Sequence, residues 1–167
     1  MLKKYEFTDE KIIIGSHKLY RIRALKDFGN VKTSDLGGFI EDEKNLSHEG
    51  NCWVYDNAKV FGNAVVYDNA KVFGNAVVYD NAKVFGNAKV FGNAKVFGNA
   101  MIYDNAEVTE NAAIYDEARV FRNVKICGEN TVSGNTMIWG NANVYCRTKI
   151  CNNVKVSKND RVYKMHL

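Results

Sequence analysis

The residues best equipped for chemistry are few and scattered. His17, His48 and His166 are the three side chains able to exchange a proton near neutrality, and Cys52, Cys127, Cys146 and Cys151 are the only thiols. No two cysteines make a CxxC pair, and three histidines so far apart draw no metal site. Neither a metal nor a cofactor is expected. Cys127, Cys146 and Cys151 read as small, half-buried wall residues, and the four thiols as those of a reduced, cytosolic chain.

A second set could bind rather than react. Arg119, Phe121, Arg122, Trp139, Lys155 and Lys158 set aromatic planes among guanidinium and ammonium groups, which suits an anionic, nucleotide-like ring. Residues 119–167 hold nine basic side chains against two acidic ones, whereas residues 1–50 hold nine of each. That asymmetry points to an anionic partner at the C-terminal end. Nucleic acid is possible there but not favoured, and steep salt dependence would reveal it.

What must position these residues is a repeat. From Val54 to Val162 a Val or Ile stands at every sixth position, 19 hexads in register, and residues 72–83 copy residues 60–71 letter for letter. Two places before the aliphatic lies Ala, in eleven consecutive hexads from Ala58 to Ala118. Residues i and i+2 share one face of a strand, while a helix would scatter them. Each hexad therefore reads as a short strand with Ala and Val inside. "GN" or "DN" forms the corner, with Gly and Asn expected to accept left-handed backbone. The absence of proline fits a ladder that needs every N–H.

"VFGNAK" and "VYDNAK" resemble the hexapeptide repeat of left-handed parallel β-helices, which pairs an aliphatic with a small residue four places later. They depart from it by placing Gly or Asp two residues after the aliphatic. The resemblance implies an all-β fold: a left-handed parallel β-helix, a triangular solenoid of 18 residues per coil and about six coils. Residues 1–50 lack the hexad and read as a small N-terminal β cap with a lead-in loop, in which Ile40 and Leu46 can open the period early. Residues 51–164 form the β-helix and residues 165–167 a tail.

Nearly the whole chain, including "LYRIRALKDFGNVKTSDLGGFIEDEKNLSHEGNCWVYDNAKVFGNA", is similar to hexapeptide-repeat proteins common in bacteriophages and prophages. Acyltransferases of this fold use a His base and loops that break the repeat, and its carbonic anhydrases use three His. Here every His lies outside the hexads and no insertion breaks the period. The expectation is therefore no enzyme.

Stacking in 18s sorts the outward residues into three walls. The third presents Val65, Tyr67, Phe85, Met101, Tyr103, Phe121, Met137 and Trp139, an apolar stripe that predicts a homo-oligomer, a trimer by preference. No run approaches the roughly 20 apolar residues needed to cross a membrane. The function expected is a non-enzymatic, phage-encoded binding protein in a bacterial cytoplasm, which sequesters a nucleotide-like ligand or blocks a host defence protein. The alternatives are a hexapeptide-repeat acyltransferase, a structural fibre component or a nucleic-acid-binding protein.

Overall fold

The computed structural model describes residues 2–157 and 161–162. Between Trp53–Val54 and Arg161–Val162 the chain makes 19 two-residue strands, each ending on the aliphatic of its hexad. Strands are this short because a turn follows every one: Ala58 N–H returns to Tyr55 C=O at 3.0 Å, and the pattern recurs along the repeat. Each aliphatic then pairs with the one 18 residues on, as Val60 does with Val78 and Val96 with Ile114. The result is a parallel β-solenoid with three walls, sheets of nine, seven and six strands. Its axis is filled by the aliphatics and by Ala58 to Ala118, all without exposed surface up to Val144. Each buried Val or Ile stabilises the fold by roughly 1.5–3 kcal/mol.

Corners follow in part the expectation that Gly and Asn share the left-handed backbone: Gly takes it throughout, but among the described residues Asn does so only at Asn152 (φ +66) and Asn153 (φ +65). The position two after the aliphatic takes it, whether it is Gly62 (φ +68), Asp68 (φ +58), Asp80 (φ +59) or Arg122 (φ +63). Asn, one place later, instead stacks its amide on the next coil: Asn69 Nδ2 donates to Asn87 Oδ1 at 3.2 Å, and Asn87 to Asn105 at 3.2 Å. The alternation of "YDN" with "FGN" has a cause in the same corners. Asp68 Oδ2 accepts from Gly86 N–H at 3.1 Å, and Asp56 Oδ2 accepts from Gly74 N–H at 2.9 Å. An Asp in one coil thus caps the amide of the corner in the next coil along the chain. That bond offsets part of the roughly 1–2 kcal/mol that left-handed backbone costs a residue with a Cβ.

The cap is a hairpin, β1 (Tyr5–Ile14) and β2 (His17–Ala24), followed by β3 (Leu36–Ile40). Gly15 (φ +58) turns the hairpin, whose strands pair from Ile14 with His17. β3 pairs antiparallel with β2 on one side and parallel with Lys59–Val60 on the other, so the cap continues one wall. Ile40 meets Val60 and Leu46 meets Val66, which starts the ladder a coil early and brings the solenoid to about seven turns. These partners lie two residues further apart than Trp53 and Lys71, and the surplus forms the corner carrying His48 and Cys52.

Toward the C-terminus the inward Ala gives way to Val124, Asn130, Thr136 and Thr148, all buried. Their polar atoms are satisfied locally. Asn130 Oδ1 accepts from Thr148 N–H at 2.7 Å, and the Thr136 hydroxyl donates to Ser133 C=O at 2.6 Å. Among the described residues no helix is long and apolar enough to cross a membrane.

Candidate active site

His17 opens β2, directly after the hairpin turn, and the hairpin lies folded onto the wall beneath it. Leu19, Phe39 and Phe61 form a small buried cluster there, with Ile12, Ile14 and Tyr79 packed around it. This packing sets the His17 ring 4.9 Å from that of Phe61. Glu41 follows β3 and is anchored twice, by its own N–H to Val60 C=O (3.2 Å) and by Gly62 N–H to Oε2 (2.8 Å). His17 Nδ1 lies 3.0 Å from both Glu41 oxygens.

The arrangement is a base with its orienting carboxylate. Partial burial pushes the Glu41 carboxyl up, but the Gly62 N–H and His17 outweigh it and hold it below its ordinary range. An ionised Glu41 accepts the Nδ1 proton, which leaves the lone pair on Nε2. Nε2 has no hydrogen bond within the described residues, and the His17 side chain is 39% exposed. It can therefore take a proton from an incoming hydroxyl or amine. Below it the rings of Phe61, Tyr79, Phe97 and Tyr115 stack at 4.8–5.2 Å as a flat face along the wall.

His48 is the more enclosed of the two histidines, its side chain 14% exposed. Its ring stacks on Tyr5 at 4.3 Å, Nδ1 accepts from Lys4 N–H at 3.1 Å, and Nε2, buried without a hydrogen bond, lies 3.9 Å from Glu43 Oε2. Burial holds its pKa below the usual value. Lys4, buried beside it, donates from Nζ to Cys52 C=O at 2.9 Å, and desolvation lowers its pKa. This cluster fastens the cap to the first coil. Among the described residues no group of His, Cys, Asp or Glu is placed to hold a metal.

The residues expected to bind an anionic ring are brought into line only in part. Arg119 pairs with Met137 and Met137 with Lys155, while Phe121 and Trp139 stack at 6.1 Å. Arg122 is held at a corner by its N–H to Asp104 Oδ2 (3.1 Å), and Lys158 lies outside the described residues. Beside Arg119 and Met137 is a cavity of about 230 Å³ that Glu117 and Asn135 also line. On the third wall Tyr67, Phe85, Tyr103 and Phe121 stack at 4.8–4.9 Å, so each ring half-covers the next. Val65, Met101 and Met137 flank them, half-buried.

Sequence reasoning passed over the pairing of His17 with Glu41, because only the pairing of β2 with β3 brings the two together. One signal was present. Glu41 follows Ile40 at the column position that Phe61 and Tyr79 hold in later coils, an acid where the pattern asks for an aromatic.

No protein-family model matches the chain. A stretch of 69 residues is 38% identical to an Escherichia coli (strain K12) protein described as "Uncharacterized acetyltransferase YdcK". The match takes in 36% of this chain and 21% of that protein, so the chain spans about a fifth of its relative's length. This finding overturns the expectation of a non-enzymatic, phage-encoded binding protein that sequesters a nucleotide or blocks a host defence protein. It also overturns the expectation of no enzyme. That reading rested on the unbroken hexads and on every His lying outside them, whereas the cap folds His17 onto the wall.

Proposed function

We propose that the chain is an acyltransferase of the hexapeptide-repeat kind, the alternative already present in its repeats. The observation that carries this reading is the His17–Glu41 pair, an oriented imidazole with a free Nε2 at the edge of a flat aromatic face. The similarity to a protein described as an acetyltransferase supports it. In the reaction, His17 Nε2 accepts the proton of a hydroxyl or amine as that oxygen or nitrogen attacks the carbonyl of an activated acyl donor. The donor's leaving group departs with its electron pair, and the imidazolium returns the proton to it. Glu41 stabilises the imidazolium without itself taking a proton.

Three copies packed along the third wall would cover the stripe from Val65 to Trp139, and we propose this trimer as the working form. Four free thiols suit a reducing, cytoplasmic setting.

The test uses acetyl-coenzyme A as donor, with a panel of amines and sugars as acceptors and chromatography to quantify the thiol released. Turnover by the wild type that falls by about 10²- to 10⁴-fold in His17→Gln is the expected result. Absence of turnover, or turnover that His17→Gln leaves unchanged, overturns the proposal.

A further inference from the structure

On the seven-stranded wall, away from His17, a rigid overhang stands over two unlike cavities. Phe28 and Val31 exchange backbone hydrogen bonds of 3.0 and 2.8 Å around the tip Gly29–Asn30. Asp27 Oδ1 braces this tip through Thr33 N–H at 2.8 Å and its hydroxyl at 2.9 Å, and Phe28 packs edge-on against buried Trp53 at 5.2 Å. A Cβ on Gly29 would lie 3.4 Å from the Asn51 Cβ, so the tip touches the corner below.

One cavity, of about 270 Å³, is lined by Tyr55 and Phe73 together with Asn30, Asp56 and Lys71. The other, of about 280 Å³, is lined by side-chain amides and two lysines, with no carboxylate. They meet at Asn30 and Lys71. Lys71 is half-buried and its ammonium has no hydrogen bond or ion pair within the described residues, whereas Lys89 pairs at 3.2 Å with Glu107, which Lys125 shares at 3.5 Å. The aromatic column changes at the same place. Phe73 and Phe91 stack within 3°, but Tyr55 stands at 86° to Phe73.

We infer that this seam binds a small organic monocarboxylate carrying an apolar ring. The ring packs against Tyr55 and Phe73, and the carboxylate meets the Lys71 ammonium with amide N–H groups of Asn30 and Asn51 beside it. A single unpaired ammonium matches a single negative charge. Asp56, whose Oδ2 accepts from Gly74 N–H, sets a carboxylate at the aromatic side, where it disfavours a second anionic group. Together the cavities fall in the range of about 300–1,000 Å³ usual for small-molecule sites. The inference does not rest on the acyl-transfer reading, because none of these groups touches the His17 site.

Calorimetric titration with phenylacetate tests it, with acetate and phenylacetamide as probes of each half of the ligand. Saturable binding of phenylacetate is expected, weaker binding of both probes, and a loss of roughly tenfold in Lys71→Gln. Phe73→Leu should weaken phenylacetate and leave acetate unchanged. Both side chains point outward, and a thermal melt of each variant checks its fold; should Phe73→Leu melt early, Lys71→Gln decides alone. His17→Gln should bind phenylacetate as the wild type does, which separates this site from the proposed catalysis. No saturable binding, equal binding of phenylacetamide, or an unchanged affinity in Lys71→Gln overturns the inference.

Discussion

His17 Nδ1 is equidistant, at 3.0 Å, from the two carboxylate oxygens of Glu41. The ring is therefore aimed by a charge on the solenoid rather than by its own hairpin. Glu41→Gln should keep the fold and lower turnover by roughly tenfold or more, since an amide neither enforces the tautomer nor stabilises the imidazolium. Steady-state kinetics of Glu41→Gln beside His17→Gln measure this, and equal loss in both or none in Glu41→Gln would contradict the assigned roles.

Glu41 also sets a pH dependence of stability. Its folded pKa lies below the ordinary value, so its contribution is present above the unfolded carboxyl range and is lost as pH falls through the folded pKa. Urea denaturation from neutral to acidic pH should show a fall in the wild type that is smaller in Glu41→Gln.

Val96 has no exposed surface and stands between Val78 and Ile114. Val96→Asp should abolish the cooperative melt, because a charge on the axis meets only Ala, Val and Ile. A soluble, folded Val96→Asp protein would be incompatible with the solenoid.

The corners allow a sharper comparison. Asp68→Ala keeps the left-handed strain while losing the bond to Gly86 N–H, and should cost about 1–3 kcal/mol. Asp68→Gly loses the bond and the strain together and should sit much nearer the wild type. Urea midpoints compare the two, and the reverse order would refute this account of the Asp and Gly alternation.

Trp139→Ala trims the end of the third-wall stack without touching the axis. Analytical ultracentrifugation should show a trimer for the wild type and smaller species for the variant. A wild-type monomer would remove the proposed seam.

The solenoid was legible because its signal is repeated and local: an aliphatic every six residues has one way to be buried throughout, and Val54 to Val144 are all without exposed surface. The corner chemistry was half-legible. Asn and Gly both suit left-handed backbone, but only the stacked coil shows that Asp68 can take that place by bonding to Gly86 while Asn69 builds an amide ladder. The candidate site was not legible, because it depends on the direction in which one hairpin folds. His17 and Glu41 meet only once Leu19 and Phe39 bury themselves against Phe61. The buried Asn130, Thr136 and Thr148 break the apolar pattern, and their hydrogen bonds span one turn or one coil, which composition does not reveal.

The letter-for-letter repeat is twelve residues long, but the coil is eighteen. One repeat unit therefore advances the chain by two-thirds of a turn. Gain or loss of a single unit by recombination would leave every strand content in its ladder yet swing the whole C-terminal end onto a different side relative to the cap. Only three units, or whole coils, restore the original facing. The number of units is thus an angular setting, and a lineage in which the two ends must address the same neighbour should change length in steps of whole turns.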